Sequence, residues 1–548
     1  MTSETIVPRL TPAENKAHCI VHQFLESQRR ARNGQHEGTD GYTDGPALGL
    51  PGPGALAKEA LEGVVDLKGG SVDRCALLDP GGGSGSEGQM DEQHWKEGIN
   101  RTKSQLDLAL ATEHEVMHSR LLTKRQLSEM AWGVRELSRR LGSMRIKFRV
   151  KSIFLLTKIH DEDLIPKARE LTRWLLDKER DVRYTVYVER NLKDNKIFDA
   201  PGLLEGLRKD YVEAGELEEE AGAEFKKRLR WWDENMCRAR PHTFDFVITL
   251  GGDGTVLYAS WLFQRIVPPV LSFSLGSLGF LTKFEFDSFR ATLSNAFSQG
   301  VTVSLRLRFE GTVMRSQKKH RAVSGGNLRE EEVDRLQKSR DLVEELIGEE
   351  KDDEHTHRPD GTFEILNEVV VDRGPNPSKP ARRHRPCPAS SFPTDLPSPP
   401  AMSYTEIFGD DEHFTSVLAD GICVSTPTGS TAYNLAAGGS LCHPENPVML
   451  VTSICAHTLS FRPIILPDTI VLRVGVPYDA RTNSWASFDG RERVELGPGD
   501  YVTISASRYP FASVQAQGRR SEDWVNSISG KLGWNTRQKQ KAYKEWEK

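Results

Sequence analysis

The sequence predicts an α/β domain followed by a mostly antiparallel β domain. Two observations carry this. Between residues 152 and 274 apolar, β-branched runs alternate with stretches of helical spacing, the mark of a parallel, doubly wound sheet. After about residue 300, many short alternating strands follow one another with short turns, the mark of antiparallel pairing. A third feature divides the first domain: the run Phe244 to Leu250 breaks on Gly251-Gly252-Asp253-Gly254-Thr255 and continues as a helix start.

The chain has 548 residues, enough for two or more domains with a sizeable core. Its net charge of −5 argues against a nucleic-acid or membrane-surface binder. No apolar stretch is long enough to span a bilayer. The first residues lack a signal-peptide core, and Glu4 and Glu14 speak against a mitochondrial leader. The seven cysteines are scattered without a CxxC pair, which suits a reducing compartment and buried structural thiols. The expected location is cytoplasmic.

In chain order, residues 1–140 read as a largely disordered extension, rich in Gly, Ser, Asp and Pro, with charged helices near its end. Those helices either pack on the folded part or mediate self-association. Residues 146–300 are the α/β domain. Strands are expected at 152–158, 184–188, 244–250 and 269–274, with a helix over 164–176 whose Leu171, Trp174 and Leu175 share a face. Residues 193–240 read as a charged helical excursion. Residues 301–515 form the β-rich domain, with strands at 301–309, 363–371, 404–417, 448–454, 469–476 and 501–506. Two inserts interrupt it. One, 315–358, is dense in charge and has a helical pattern over 329–347. The other, 378–400, is rich in Pro, Arg and Ser and cannot join a sheet. Residues 516–548 read as a C-terminal helical tail.

The glycine turn is a candidate phosphate site. Glycines let backbone N–H groups approach an anion, and the helix start adds unpaired donors and a positive dipole. Asp253 fits such a site as a metal ligand or as the base that takes a proton from an attacking hydroxyl. Alternatively it is a helix N-cap. The 275–280 turn leaves its strand at the same sheet edge and forms a second wall. In the middle of the 363–371 run stands Asn367-Glu368, an amide and a carboxylate able to grip a ribose diol. Their alternative is one side chain in solvent and one at a turn. From Ser425 to Thr431, five hydroxyl residues fall within seven positions, followed by Ala432, Tyr433 and Asn434. Small residues there admit a ligand to the backbone, and Tyr433 offers a ring for a base. A Ser/Thr-capped helix explains part of it. His457 and Arg462 are candidates to face phosphates; a histidine satisfied by a backbone carbonyl is the plainer reading of His457.

Taken together and in this order, Gly251 to Thr255, the 275–284 segment, Asn367-Glu368, Thr426 to Asn434 and Ala456 to Pro463 resemble the NAD kinase family, closest to its eukaryotic cytosolic type. The glycine turn alone is shared with lipid kinases and phosphofructokinases. Asn367-Glu368 followed by the 425–433 stretch is the specific part. The resemblance implies a Rossmann-like first domain, a β-sandwich-like second domain with nucleotide between them, and a homo-oligomer, dimer or tetramer. It implies transfer of the γ-phosphate of ATP to the 2′-hydroxyl of the adenosine ribose of NAD, giving NADP. A preference for NADH, or a lipid-kinase chemistry on the shared turn, are its alternatives. Asp253 is then the general base, and Gly251, Gly252, Gly254 and Thr255 cradle ATP phosphates. Asn367, Glu368, Asp420, Thr428, Thr431, Ala432, Tyr433 and Asn434 lie on the NAD side, Asp420 from across a subunit boundary in one reading. Mg²⁺ or another divalent cation accompanies ATP, with no protein metal ligand assigned. In the family the strand after Asp372 runs through a short turn, and residues 378–400 depart from that.

Overall fold

The computed structural model describes residues 118–158, 161–215, 226–275, 279–317, 340–347, 356–374, 402–516 and 522–534. The 378–400 insert, residues 1–117 of the extension and most of the 315–358 insert lie outside these.

The first sheet is built on β1 (Ser152–Thr157), β2 (Thr185–Glu189), β3 (Leu229–Trp232), β4 (Phe246–Leu250) and β5 (Val270–Ser274). The central strands are buried end to end, which is why their sequences read as continuous apolar runs rather than alternation. They pair in parallel in the order β3-β2-β1-β4-β5. A two-residue parallel strand, β6 (Phe284–Glu285), leans on β5. Helices Leu164–Leu176, Ala200–Glu213, Asp253–Leu262 and Phe289–Gln299 connect and cover these strands. The 193–240 stretch is not wholly helical as expected. Leu229 and Trp232 are buried within it and carry β3, the edge strand.

The β-rich part comprises β7 (Thr302–Arg306), β8 (Phe309–Ser316), β9 (His357–Ile365), β10 (Glu368–Asp372), β11 (Ser403–Gly409), β12 (Glu412–Ala419), β13 (Gly421–Ser425), β14 (Val448–Ile454), β15 (Ile464–Pro467), β16 (Leu472–Gly475), β17 (Ser484–Phe488), β18 (Glu492–Leu496), β19 (Tyr501–Ala506) and β20 (Phe511–Gln515). Two antiparallel sheets, β15-β14-β13-β10-β17-β18 and β12-β11-β16-β19-β8-β9, face each other. Phe309, Val313 and Val474 from one and Val369, Ile422, Val451 and Phe488 from the other share one buried core.

Sheet membership crosses the 300/301 boundary. β7 and β20 belong to the first sheet: β20 pairs parallel with β5 and antiparallel with β7. The chain therefore enters the sandwich and comes back. Helix Lys124–Ser143 buries Leu127, Ala131, Val134, Leu137 and Leu141, and runs along β7. Its Thr123–Gln126 capping box defines its start. Packing on the folded part, rather than self-association, accounts for its apolar face.

Arg308, wholly buried between β7 and β8, fastens the two parts. Its guanidinium donates to the carbonyls of Ser260 (3.3 Å), Phe263 (2.9 Å) and Gln264 (3.0 Å) at the end of helix Asp253–Leu262, and to that of Tyr509. Those carbonyls have no partner within the helix, so the cation caps it and complements its dipole. Arg308→Met should lower stability by about 3–5 kcal/mol, because it strips four buried acceptors and leaves Glu364 without its nearby cation. Equilibrium denaturation checks this; a loss under about 1 kcal/mol would contradict it.

Candidate functional site

At the end of β4, Gly251 has a φ of 146°, and a Cβ there would meet the Thr255 hydroxyl at 2.4 Å. Both facts demand glycine. Gly252 and Gly254 are different. Each is exposed and a Cβ would meet nothing within 4 Å. The chain's own packing does not require these two glycines, so open approach from outside is what they provide.

Asp253 begins helix Asp253–Leu262, but Gly252 is the N-cap and no side chain caps it. The Asp253 carboxylate reaches instead to the neighbouring loop. Its oxygens accept from the backbone N–H of Phe280 (2.8 Å), Leu281 (3.0 Å) and Thr282 (3.1 Å), and from the Thr282 hydroxyl (3.3 Å). Gly279 permits this, since a Cβ there would lie 2.0 Å from an Asp253 oxygen. Residues 276–278 of the expected second wall lie outside the described residues.

Asn367-Glu368 sits not in mid-strand but at a break. β9 ends at Ile365 in one sheet and β10 begins at Glu368 in the other. Leu366 and Asn367 are the crossing point. Asp489 holds it: its carboxylate accepts from the N–H groups of Leu366 (2.8 Å), Asn367 (2.8 Å) and Glu368 (3.1 Å). From the other side, the Thr426 N–H donates to the Asn367 carbonyl at 2.8 Å and the Thr426 hydroxyl to the Leu366 carbonyl at 2.6 Å. A Cβ on Gly429 would strike the Asn367 carbonyl at 2.3 Å. With the backbone this tightly tied, three buried side-chain atoms still lack a hydrogen-bond partner: Asn367 Oδ1, Glu368 Oε2 and Thr428 Oγ1. Buried polar atoms are almost always paired, so three from facing segments point to a polar ligand. Burial, and secondarily the like charge of Asp489, push the Glu368 carboxyl up to about 8; the Tyr433 N–H opposes this.

Thr431 and Ala432 end a 3-10 turn, and Tyr433 projects, 41% exposed. Asp420 pairs with Arg373 at 3.4 Å, both partly exposed. Asn434 does not join them. It is fully buried, its amide donating to the Ser430 and Ser440 carbonyls and accepting from Thr452. It positions the turn rather than facing a ligand. His457 and Arg462 are both exposed; the Arg462 guanidinium folds onto the Leu459 and Phe461 carbonyls. No group of three or more metal-ligating side chains exists among the described residues.

Sequence reasoning missed Asp489-Gly490-Arg491, the turn between β17 and β18. Both Asp489 (φ 49°) and Gly490 (φ 66°) are left-handed, as an Asp-Gly hairpin requires. Arg491 carries a cation from the sandwich to the glycine turn. It donates to the Gly254 carbonyl at 3.3 Å and lies 4.2 Å over the Tyr258 ring. An Asp-Gly pair between alternating runs was the available signal.

The sequence model described as ATP-NAD kinase N-terminal domain matches residues 153–301, and that of the ATP-NAD kinase C-terminal domain matches 394–516. The NAD(+) kinase of Saccharomyces cerevisiae is 40% identical over 418 residues, covering 76% of this chain and 66% of that protein, just under two thirds. The ATP-NADH kinase of the same yeast is 35% identical, covering 76% and 70%. An uncharacterized kinase of Schizosaccharomyces pombe is 37% identical, covering 77% and 89%. Among solved structures, yeast NADH kinase complexed with NADH covers 71% of this chain and 89% of its own, at 24% identity and a TM-score of 0.48. With these relatives spanning both halves of the fold, the chain belongs to the NAD kinase family.

Proposed function

We propose that this protein is an NAD kinase, moving the γ-phosphate of ATP to the 2′-hydroxyl of the adenosine ribose of NAD. The observation that carries this is the set of three unpaired buried atoms on Asn367, Glu368 and Thr428, a ready grip for a hydroxyl-rich nucleoside. A lipid acceptor would leave those atoms unsatisfied, which disfavours that alternative. Two yeast relatives, named for NAD(+) and for NADH, match at comparable identity, so NADH remains the second reading of the acceptor.

In this reading the exposed N–H groups of Gly252 and Gly254 receive ATP phosphates at a helix N-terminus. Arg491 adds positive charge beside them, where charge spreads in phosphoryl transfer. Asp253 takes the proton of the attacking hydroxyl. To do so, its carboxylate must exchange part of its hold on the 280–282 backbone for the sugar oxygen. Mg²⁺ or another divalent cation would come with the triphosphate, whose charge it would offset. No described helix is long and apolar enough to cross a membrane. We read the protein as a cytoplasmic homo-oligomer, dimer or tetramer. Exposed Leu459 (84%) and Ile465 (56%), beside and on edge strand β15, support self-association.

Purified protein with ATP and Mg²⁺ should form NADP from NAD. Asp253→Asn should cut turnover by ~10²–10⁴ while NAD still binds; unchanged turnover would remove the base assignment. Arg491→Gln should lower kcat about 10²-fold, with a smaller change in the NAD KM. An effect confined to KM would place Arg491 in ground-state binding instead. Glu368 gives a pH prediction. Unfolded, its carboxyl ionises near 4.5; folded, near 8. Between these values only the folded state holds the proton, so this contribution is full below 4.5 and is lost as pH rises through 8. Melting of ligand-free protein should fall less between pH 5.5 and 8 in Glu368→Gln than in the unaltered protein. Parallel curves would refute the assignment.

A further inference from the structure

Tyr258 stands between two opposite charges that do not pair with each other. It lies one turn after Gly254 on the helix Asp253–Leu262, on the same helix face. Its hydroxyl donates to Glu234 Oε1 at 2.8 Å. Burial first, and next that bond, hold the hydroxyl above its usual pKa, so it keeps the proton it donates. Over the ring, 4.2 Å from its centre, sits the Arg491 guanidinium. Among the described residues, neither Glu234 nor Arg491 forms an ion pair.

The three side chains come from three separate segments. Glu234 opens the short helix Glu234–Ala239 just after edge strand β3. Its N-cap Asp233 accepts the Met236 N–H at 2.9 Å and pairs with Arg190 at 3.0 Å, which fixes the helix start. The Tyr258 ring packs against the sandwich core and against the core that covers one face of the first sheet. Arg491 arrives on the β17–β18 hairpin. Among the described residues its guanidinium has one hydrogen bond, the long one to the Gly254 carbonyl. So long a side chain on a single weak bond would sample several rotamers, and the ring restricts it.

An aromatic ring is chemically apt here. A carboxylate under Arg491 would neutralise it and compete with a phosphate. A ring attracts the cation through its quadrupole and leaves the charge to a ligand. The bond to Glu234 draws the hydroxyl proton away and enriches the ring in electrons, so a remote carboxylate strengthens the stack without touching the cation.

We propose that Tyr258 is a positioning residue for phosphoryl transfer: it holds Arg491 beside the glycine turn with its charge unspent, and Glu234 anchors Tyr258. This deepens the proposed function and rests on its reading of Arg491.

The test is NADP formation by the full chain with ATP and Mg²⁺, with kcat referred to the folded fraction. Tyr258→Leu should lower kcat about tenfold, with a smaller change in the NAD KM. Tyr258→Phe keeps the ring and Glu234→Gln keeps the phenol, so each should lose only about two- to threefold. In an Arg491→Gln background, Tyr258→Leu should cost nothing more. Additive losses would show that Tyr258 acts through packing and not through Arg491, and would overturn the proposal. So would a Tyr258→Phe as impaired as Tyr258→Leu. Full turnover in Tyr258→Leu beside an impaired Arg491→Gln overturns the proposal and leaves the role of Arg491 standing. Full turnover in Arg491→Gln removes that role, and the proposal with it. If Tyr258→Leu does not fold, Tyr258→Phe decides in its place: its loss must vanish in the Arg491→Gln background.

Discussion

A guanidinium sealed from water holds the two halves of this enzyme in register. Arg308 stands where β7 of the first sheet passes into β8 of the sandwich, and it caps the far end of the helix that starts at Asp253. The near end of that helix is the glycine turn. Fixing its tail to the sandwich therefore fixes the distance between Gly252-Asp253-Gly254 and the strand break at Asn367. Burying such a cation is costly, and only a full set of carbonyl acceptors makes it tolerable. Glu364, also buried at this junction, has its carboxyl pushed up to about 8 chiefly by desolvation.

The cleft uses one device twice. Asp253 and Asp489 each accept from three successive backbone N–H groups. A carboxylate so engaged turns a loop into a defined shape without help from a strand ladder. In one case the shaped loop borders the glycine turn. In the other it presents Asn367 and Glu368. Because Asp489 and Arg491 share one tight hairpin, the same three-residue turn shapes the strand break at Asn367-Glu368 and places a cation beside the glycine turn.

The sequence carried much of this and hid the rest for identifiable reasons. β1, β4 and β5 were plain because burial on both faces leaves unbroken apolar runs. The glycine turn and the Asn-Glu pair were plain because neither belongs in an ordinary strand. The sheet membership of β7 and β20 was invisible, since local alternation reports a strand but not its partner. β3 was lost in a charged stretch because an edge strand needs only Leu229 and Trp232 inside. Asn434 was assigned to the ligand because a buried amide that braces a turn reads, in one dimension, like one that faces a cleft. The break at Leu366–Asn367 was missed because each half of the run reads as a strand by composition; only three-dimensional crossing from sheet to sheet separates them.

The return of β20 to the first sheet sets the order in which the chain can be completed. Val270 waits beside an open edge until Ser513 arrives to pair with it. During synthesis the whole sandwich must leave the ribosome before that edge is closed. An apolar strand flank stays uncovered through this interval, when edge-to-edge association is the main hazard. Truncations short of residue 515 would thus damage the half of the molecule that is made first.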